Sequence, residues 1–296
     1  MKMGQYGRGV IQMIASSLMF SIMATLIVYA RDISFFTTAL YRFIVGVFIL
    51  GTMALFRQIR LDYHNSLVLF LRGFLGGISV VLFYLAIVKL GIAKGTVISF
   101  TYPVFATIGG MIFLKERVKP FVWAFMVSAL IGITLLTYEA QTNMLVVDVW
   151  TLLAFAGAII GGHALVCVKR LTSTDSSYSI YMSQCLIGFW LVVVPANLTT
   201  TKVGITGIAI LLAIGVFATL AQLLMNWGFG KLSIPTGSLL GLTTPVLNVF
   251  VGILLFGEPL GFFELLGVFL VLASCVAIVW SDRAKKVSRI SSSVPS

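Results

Sequence analysis

An all-α membrane protein of ten transmembrane helices, arranged as two inverted five-helix repeats, is the fold class this sequence predicts. Three observations predict it. Of 296 residues, 59% are hydrophobic and 10% charged, with a mean hydropathy of +1.09. A soluble domain is about a quarter charged, so this chain has too few polar groups for a water-facing surface, and lipid is the matching solvent. Second, its apolar residues gather in long runs parted by short polar breaks. Third, one segment is written twice, as "SFTYPVFATIGGMIFLKERV" from Ser99 and as "GLTTPVLNVFVGILLFGEPL" from Gly241.

The apolar runs cover residues 9–30, 35–56, 66–88, 95–114, 119–138, 148–168, 178–196, 205–228, 236–256 and 260–281. Each is near the ~20 residues a helix needs to cross a bilayer. Runs this long and this apolar do not alternate as barrel strands do, so helix is the reading. Helix 1 follows "MKMGQYGRGV" directly, with no cleavable signal expected, and carries Ser17, Ser21 and Thr25 at spacing four. Helix 2 carries Arg42, and helix 3 carries Tyr84 and ends at Lys89. Helix 4 carries Ser99, Tyr102 and Pro103 and closes on Glu116. Helix 6 carries His163, and helix 8 carries Gln222, Asn226 and Trp227. Helix 9 carries Thr244, Pro245 and Asn248 and closes on Glu258. The tail "SDRAKKVSRISSSVPS" is polar and expected to be disordered. Cys167, Cys185 and Cys275 all lie in apolar runs and read as small core residues, not as disulfide or metal ligands.

The net charge of +11 asks for a partner or a sorting rule. No basic run is interleaved with a soluble aromatic platform, so nucleic acid is not expected as a partner. Charge sorting across a membrane accounts for it. With a cytoplasmic amino terminus, the inner breaks hold Lys2, Arg8, Arg57, Arg60, Arg72, Lys115, Arg117, Lys119, Lys169, Arg170, Lys231, Arg283, Lys285, Lys286 and Arg289. The outer breaks hold only Arg31, Lys89, Lys94 and Lys202, and Arg42 falls within a span. The positive-inside bias therefore places both termini in the cytoplasm, with the inner membrane of a bacterial cell as the expected location.

A constant shift of 142 residues aligns the halves without a gap, since it carries Pro103 to Pro245. It also brings Gly95 to Gly237, Val104 to Val246, Gly110 to Gly252, Glu116 to Glu258, and Lys89-Leu90 to Lys231-Leu232. Pro and Glu are rare in this composition, so their matches carry the case. The units are residues 1–140 and 143–282, followed by a basic tail, 283–296. Each unit has an odd number of spans, so the second lies upside down relative to the first. Inverted repeats are the architecture of secondary transporters, where exchange between the two units opens a cavity to alternate sides. The bland alternative is a duplication with no mechanistic role.

These features together resemble the drug/metabolite transporter superfamily, EamA type. The carrying residues are "ALYRF" with Arg42-Phe43, the prolines midway along helices 4 and 9, and the Glu after each, in "LKERV" and "FGEPL". The resemblance covers about residues 9–281. It implies transport of small metabolites such as amino acids, nucleobases or adenosyl compounds. It also implies a central cavity lined by helices 1, 3, 4, 6, 8 and 9, with helix 2 beside the cavity and helices 5 and 10 peripheral. One departure stands out: the second unit has Gln184 where the first has Arg42, so whatever Arg42 does is not done twice.

The candidate residues follow. Pro103 and Pro245 each remove a backbone donor and free a carbonyl one turn earlier, which must find a partner or face a wet cavity. They read as gating breaks, or as static kinks. Tyr84, Ser99, Tyr102, His163, Gln222, Asn226, Trp227, Thr244 and Asn248 make an aromatic, neutral hydrogen-bonding set for a solute. His163 reads either as a group that titrates near neutrality or as a packing residue. Arg42 pairs with an anion, braces the fold or snorkels. Glu116 and Glu258 read as latches. No Asp or Glu lies deep in a span, so no carboxylate proton relay or sodium cage is expected. Neither metal nor cofactor motif appears, and no catalytic triad.

The reading is a carrier working by alternating access on a small, neutral or zwitterionic metabolite, as a monomer or homodimer in lipid. The driving force is the solute gradient, exchange, or a proton link through His163. A flippase for a lipid-linked substrate is the first rival, and an intramembrane enzyme using His163 is the second.

Overall fold

The computed structural model describes residues 4–30, 32–90, 92–136, 148–199, 203–256 and 261–291. Among them there is no strand, and the chain forms twelve helices. These are α1 (Gln5–Tyr29), α2 (Phe35–Leu55), α3 (Ser66–Leu90), α4 (Ile92–Ser99), α5 (Tyr102–Phe113), α6 (Pro120–Leu136), α7 (Val149–Leu171), α8 (Ser177–Leu198), α9 (Ile205–Phe229), α10 (Ile234–Gly241), α11 (Thr243–Phe256) and α12 (Phe262–Ser291). The fold is thus all-helical. Eight stretches among the described residues are long and apolar enough to cross a membrane. Val97–Phe113 and Pro120–Leu135 are shorter apolar helices.

Two predicted runs are each two helices. Run 95–114 breaks between α4 and α5, and run 236–256 breaks between α10 and α11. Pro103 lies in the first turn of α5, where a missing N–H costs nothing. Thr101 Oγ1 donates to Ile98 O at 2.6 Å, and Thr243 Oγ1 donates to Leu240 O at 2.8 Å. The two threonines, and the two carbonyls they serve, correspond under the same shift that aligns the prolines.

Several helix starts are written in the sequence. Asp148 accepts from Thr151 N and Thr151 Oγ1, both at 2.8 Å, and opens α7. Ser176 accepts from Ser179 N at 3.2 Å and opens α8. Ser233 accepts from Thr236 N at 3.4 Å and opens α10, with Pro235 in the first turn. Such caps satisfy donors that the helix itself leaves free.

α12 continues as helix to Ser291. Ala, Lys and Arg are strong helix formers, and cations favour a helix carboxyl end, so the basic segment extends the span instead of ending it. Glu258 lies outside the described residues, as do 137–147 between the two halves.

α1 packs along α9, and α7 along α3; α2 lies against α8 and α9, and α8 against α2 and α3. α5 packs on α7, α11 on α1, and α6 pairs with α12. Lipid removes the hydrophobic drive between helices, so close backbone approach at small residues does the work. A Cβ on Gly46 would meet Cys185 Sγ at 2.5 Å, and one on Gly188 would meet Phe43 Cζ at 2.5 Å. A Cβ on Gly73 would crowd Ile187, and one on Gly215 would crowd Val45. The outer surface is apolar: Phe48, Trp190, Leu254 and Trp280 are all exposed, as a lipid-facing belt requires.

Gly188→Ala should therefore force Phe43 aside and lower stability by about 1–3 kcal/mol, read as a lower thermal unfolding midpoint in detergent. A Cβ at Gly51 would meet nothing within 4 Å, so Gly51→Ala should leave the midpoint unchanged or raised. Equal loss in both variants would contradict the packing described.

Candidate substrate cavity

A cavity of about 820 Å³ lies at the centre of the bundle. Its walls come from α1, α2, α3, α7, α8, α9 and the two broken pairs α4/α5 and α10/α11. At one end it reaches Ala30, Ile33 and Phe35, where α1 passes to α2. At the other it reaches Met13, Leu165, Met225 and Arg72.

One turn beneath that floor, polar contacts tie the helix ends together. Lys169 Nζ donates to Phe229 O at 2.8 Å and to Leu232 O at 2.7 Å. Glu116 Oε2 accepts from Ile234 N at 3.1 Å, at the start of α10. Lys231 Nζ donates to Gln12 Oε1 at 2.7 Å and to Trp227 O at 3.1 Å. Desolvation, with Arg8 nearby, holds the Lys231 ammonium below the usual lysine range. These bonds pin the α9–α10 turn to α1, α5 and α7, so Glu116 anchors a helix start on another span.

Of the residues singled out in the sequence, Tyr84, Ser99, Tyr102, Gln222, Thr244 and Asn248 line the cavity. Tyr102 also donates from its hydroxyl to Ser238 O at 3.3 Å, joining one broken span to the other. Pro103 and Pro245 are buried and do not face the cavity. Neither do His163, Asn226 and Trp227. His163 Nδ1 lies 2.8 Å from Ile159 O on its own helix, and its ring meets Phe113 edge-on. Asn226 Nδ2 donates to Ser177 O at 3.3 Å, and the Trp227 ring stands edge-on to Tyr178, so both brace α9 on α8.

The arginines differ most from expectation. Helix 2 was placed beside the cavity, yet Arg42 lines it and is 5% exposed. Arg72, counted as an inner-break cation, lies within α3, lines the cavity and is 2% exposed. Its Nη2 donates to Gln184 Oε1 at 2.8 Å. Gly76 leaves the space for this: a Cβ there would intrude on the Arg72 guanidinium and approach Gln184 Nε2 at 3.0 Å. The Nε groups of Arg42 and Arg72 have no hydrogen-bond partner. Among the described residues no Asp or Glu stands with them on the cavity wall. A cation at this depth costs about 3 kcal/mol or more, so the pair is a costly feature with no counter-ion among the described residues. A signal for Arg72 was present in the sequence: it stands seven residues into the run 66–88, beside Gly73, Gly76 and Gly77.

No group of three or more metal-ligating side chains occurs among the described residues.

Comparison with known proteins adds the following. The model of the EamA-like transporter family matches residues 7–138 and again 148–280. The pseudopaline exporter CntI of Pseudomonas aeruginosa is 22% identical over 286 residues, covering 94% of this chain and 97% of that protein. Solute carrier family 35 member G1 of Mus musculus is 27% identical over 132 residues, which are 44% of this chain and 36% of that protein. A crystal structure superposes with a TM-score of 0.78 at 16% identity, covering 94% of this chain and 98% of the other, a likeness of fold.

Because the His163 ring is held on its own helix outside the cavity, His163→Ala should leave the pH dependence of solute flux in liposomes unchanged. A displaced pH profile would bring His163 back into the transport path.

Proposed function

Since the chain belongs to the EamA-like transporter family, we propose that it is a secondary-type carrier moving a small polar or zwitterionic metabolite by alternating access. The observation that carries the proposal is the cavity of about 820 Å³, lined by hydroxyls, amides, aromatics and two arginines, which reaches the α1–α2 end and has the Lys169 and Glu116 contacts beyond its other end. That volume lies in the range of small-molecule sites.

Ten spans arise if each broken pair, α4/α5 and α10/α11, crosses the bilayer once, with α6 as a further crossing. The units 1–140 and 143–282 are then two five-helix repeats in opposite orientation. Support comes from contacts that recur under the 142-residue shift. Gly46 against Cys185 repeats as Gly188 against Phe43, and Gly73 against Ile187 repeats as Gly215 against Val45. The Thr101 and Thr243 bonds at the breaks form a third matched set. The family model matching twice in succession is consistent with the same division. Two units so related exchange roles: the breaks at Pro103 and Pro245 act as hinges, and the Glu116 and Lys169 contacts at the α9–α10 turn part as the far end closes.

Both termini are placed in the cytoplasm and the protein in the bacterial inner membrane, on the lysine and arginine bias. The α1–α2 end of the cavity then faces outward. One relative is named an exporter, which favours export. The partners are the solute and membrane lipid, with no cofactor, and the chain acts as a monomer or homodimer.

Reconstitution in liposomes tests this. Labelled amino acids, nucleobases and adenosyl compounds are offered, beside a labelled phospholipid. Flux of an intact solute without lipid scrambling is the expected result. Scrambling alone would favour a flippase, and a chemically altered product an enzyme. Pro103→Ala combined with Pro245→Ala should slow exchange more than it weakens binding, because a restored helix bends less; unaltered turnover would remove the hinges from the mechanism.

A further inference from the structure

The cavity holds more positive charge than the fold needs. Arg42 descends from α2 and Arg72 rises from α3, and both line the same space. Each is nearly wholly buried, and each keeps an Nε–H without a partner. They lie close enough that their charges act on one another. Among the described residues no Asp or Glu lines the cavity. Two like charges in a low-dielectric site repel, and no carboxylate among the described lining residues offsets them.

The second unit shows how this arrangement is kept. Gln184 stands where an exact repeat of Arg42 would place a third guanidinium. It is neutral, and its Oε1 accepts from Arg72 at 2.8 Å. That bond holds the guanidinium in place and leaves the Gln184 amide N–H groups as donors. Gly76 clears the space in which the guanidinium lies. The cluster offers planar donor forks and an amide, all donors, with no acceptor left over. Guanidinium forks match an oxyanion, carboxylate above all, in two parallel bonds.

We propose that Arg42, Arg72 and Gln184 form a carboxylate seat in the cavity, so that the carried solute is an organic acid or an amino-acid-like zwitterion. The inference rests on the reading of this cavity as a solute path. The cavity of about 820 Å³ is far larger than an inorganic ion, so the occupant brings an organic body, which the aromatic and hydroxyl walls receive. With no carboxylate among the lining groups, a purely cationic solute has no counter-charge there. A zwitterion's ammonium group would meet only neutral oxygens, such as those of Ser79, Thr244 and Asn248.

The test uses the full chain, purified in detergent in chloride-free buffer. Thermal midpoints are recorded with succinate, glutarate, L-histidine and L-phenylalanine, each against its amide, and with inorganic phosphate, chloride and phosphatidylglycerol. At least one free acid should raise the midpoint while its amide does not, because a bound ligand stabilises the folded state. Arg72→Met should weaken that acid roughly ten-fold or more, as loss of a charge-assisted bidentate bond does, and Arg72→Lys should restore only part. Arg42→Met should behave alike, and Phe48→Ala, on the lipid-facing surface, should bind as the parent does. Should Arg72→Met not fold, Arg72→Lys and Arg42→Met decide. No response to any acid overturns the seat. So does an equal response to the amides, a response to phosphate, chloride or phosphatidylglycerol alone, or full affinity in the arginine variants. Flux of the same labelled acid into liposomes separates the two readings. Binding without flux keeps the seat and rejects the carrier; flux that is indifferent to Arg72→Met keeps the carrier and rejects the seat.

Discussion

Lipid offers no hydrogen bonds, and that constraint shapes this protein. Every backbone donor and acceptor at membrane depth needs a partner within the protein or a wet space to face. Unbroken helices meet the requirement without help. The two broken spans do not. At each break a threonine hydroxyl turns back to the carbonyl three residues earlier, Thr101 to Ile98 and Thr243 to Leu240. Ser17 Oγ reaches the same Leu240 carbonyl from α1 at 3.4 Å. The breaks stand beside the cavity, with Ser99 and Tyr102 at one and Gly241 and Thr244 at the other among its lining residues. Interrupting a helix there is tolerated because side chains and the cavity take up what the ladder has lost.

The same constraint makes the arginines conspicuous. A soluble protein would let two such cations reach water at the surface. Here they point inward, one resting on Gln184 and both facing the cavity. The two halves of the chain diverge where this matters. Positions 42 and 184 are related by the 142-residue shift, and they carry Arg and Gln. A symmetric pair would set a third positive charge beside Arg72; the glutamine instead becomes its acceptor. The contacts of Gly46 with Cys185 and of Gly73 with Ile187 recur 142 residues on, in Gly188 with Phe43 and Gly215 with Val45, while the charge at position 42 does not recur. On the function proposed above, the first serves two related conformations and the second grips one end of a solute.

Much of the architecture was legible because it rests on local chemistry. Run lengths marked the helices, and the matched prolines marked the breaks before any coordinate. Glu116 accepts from Ile234 N at the start of α10. The cavity was less legible, because which face of a helix turns inward depends on partners distant in sequence. Asn226 and Gln222 share a face at spacing four, yet Asn226 is drawn to Ser177 O, and Gln222 alone reaches the cavity. His163 bonds its own helix. Arg72 was hidden by its nearness to a polar break, since position along the chain does not reveal that α8 covers the start of α3. In the basic tail the lysines, arginines and alanine favour helix, and α12 runs on to Ser291.

The central claim is a wet cavity that opens to one side of the membrane and then to the other. Ser79, halfway along α3 and on the cavity wall, is the position to probe. In a variant without Cys167, Cys185 and Cys275, Ser79→Cys would be exposed to a membrane-impermeant thiol reagent from either face of oriented vesicles. The account predicts labelling from both faces, with protection from each when a transported solute is added. Labelling from a single face under all conditions, or from neither, would contradict it.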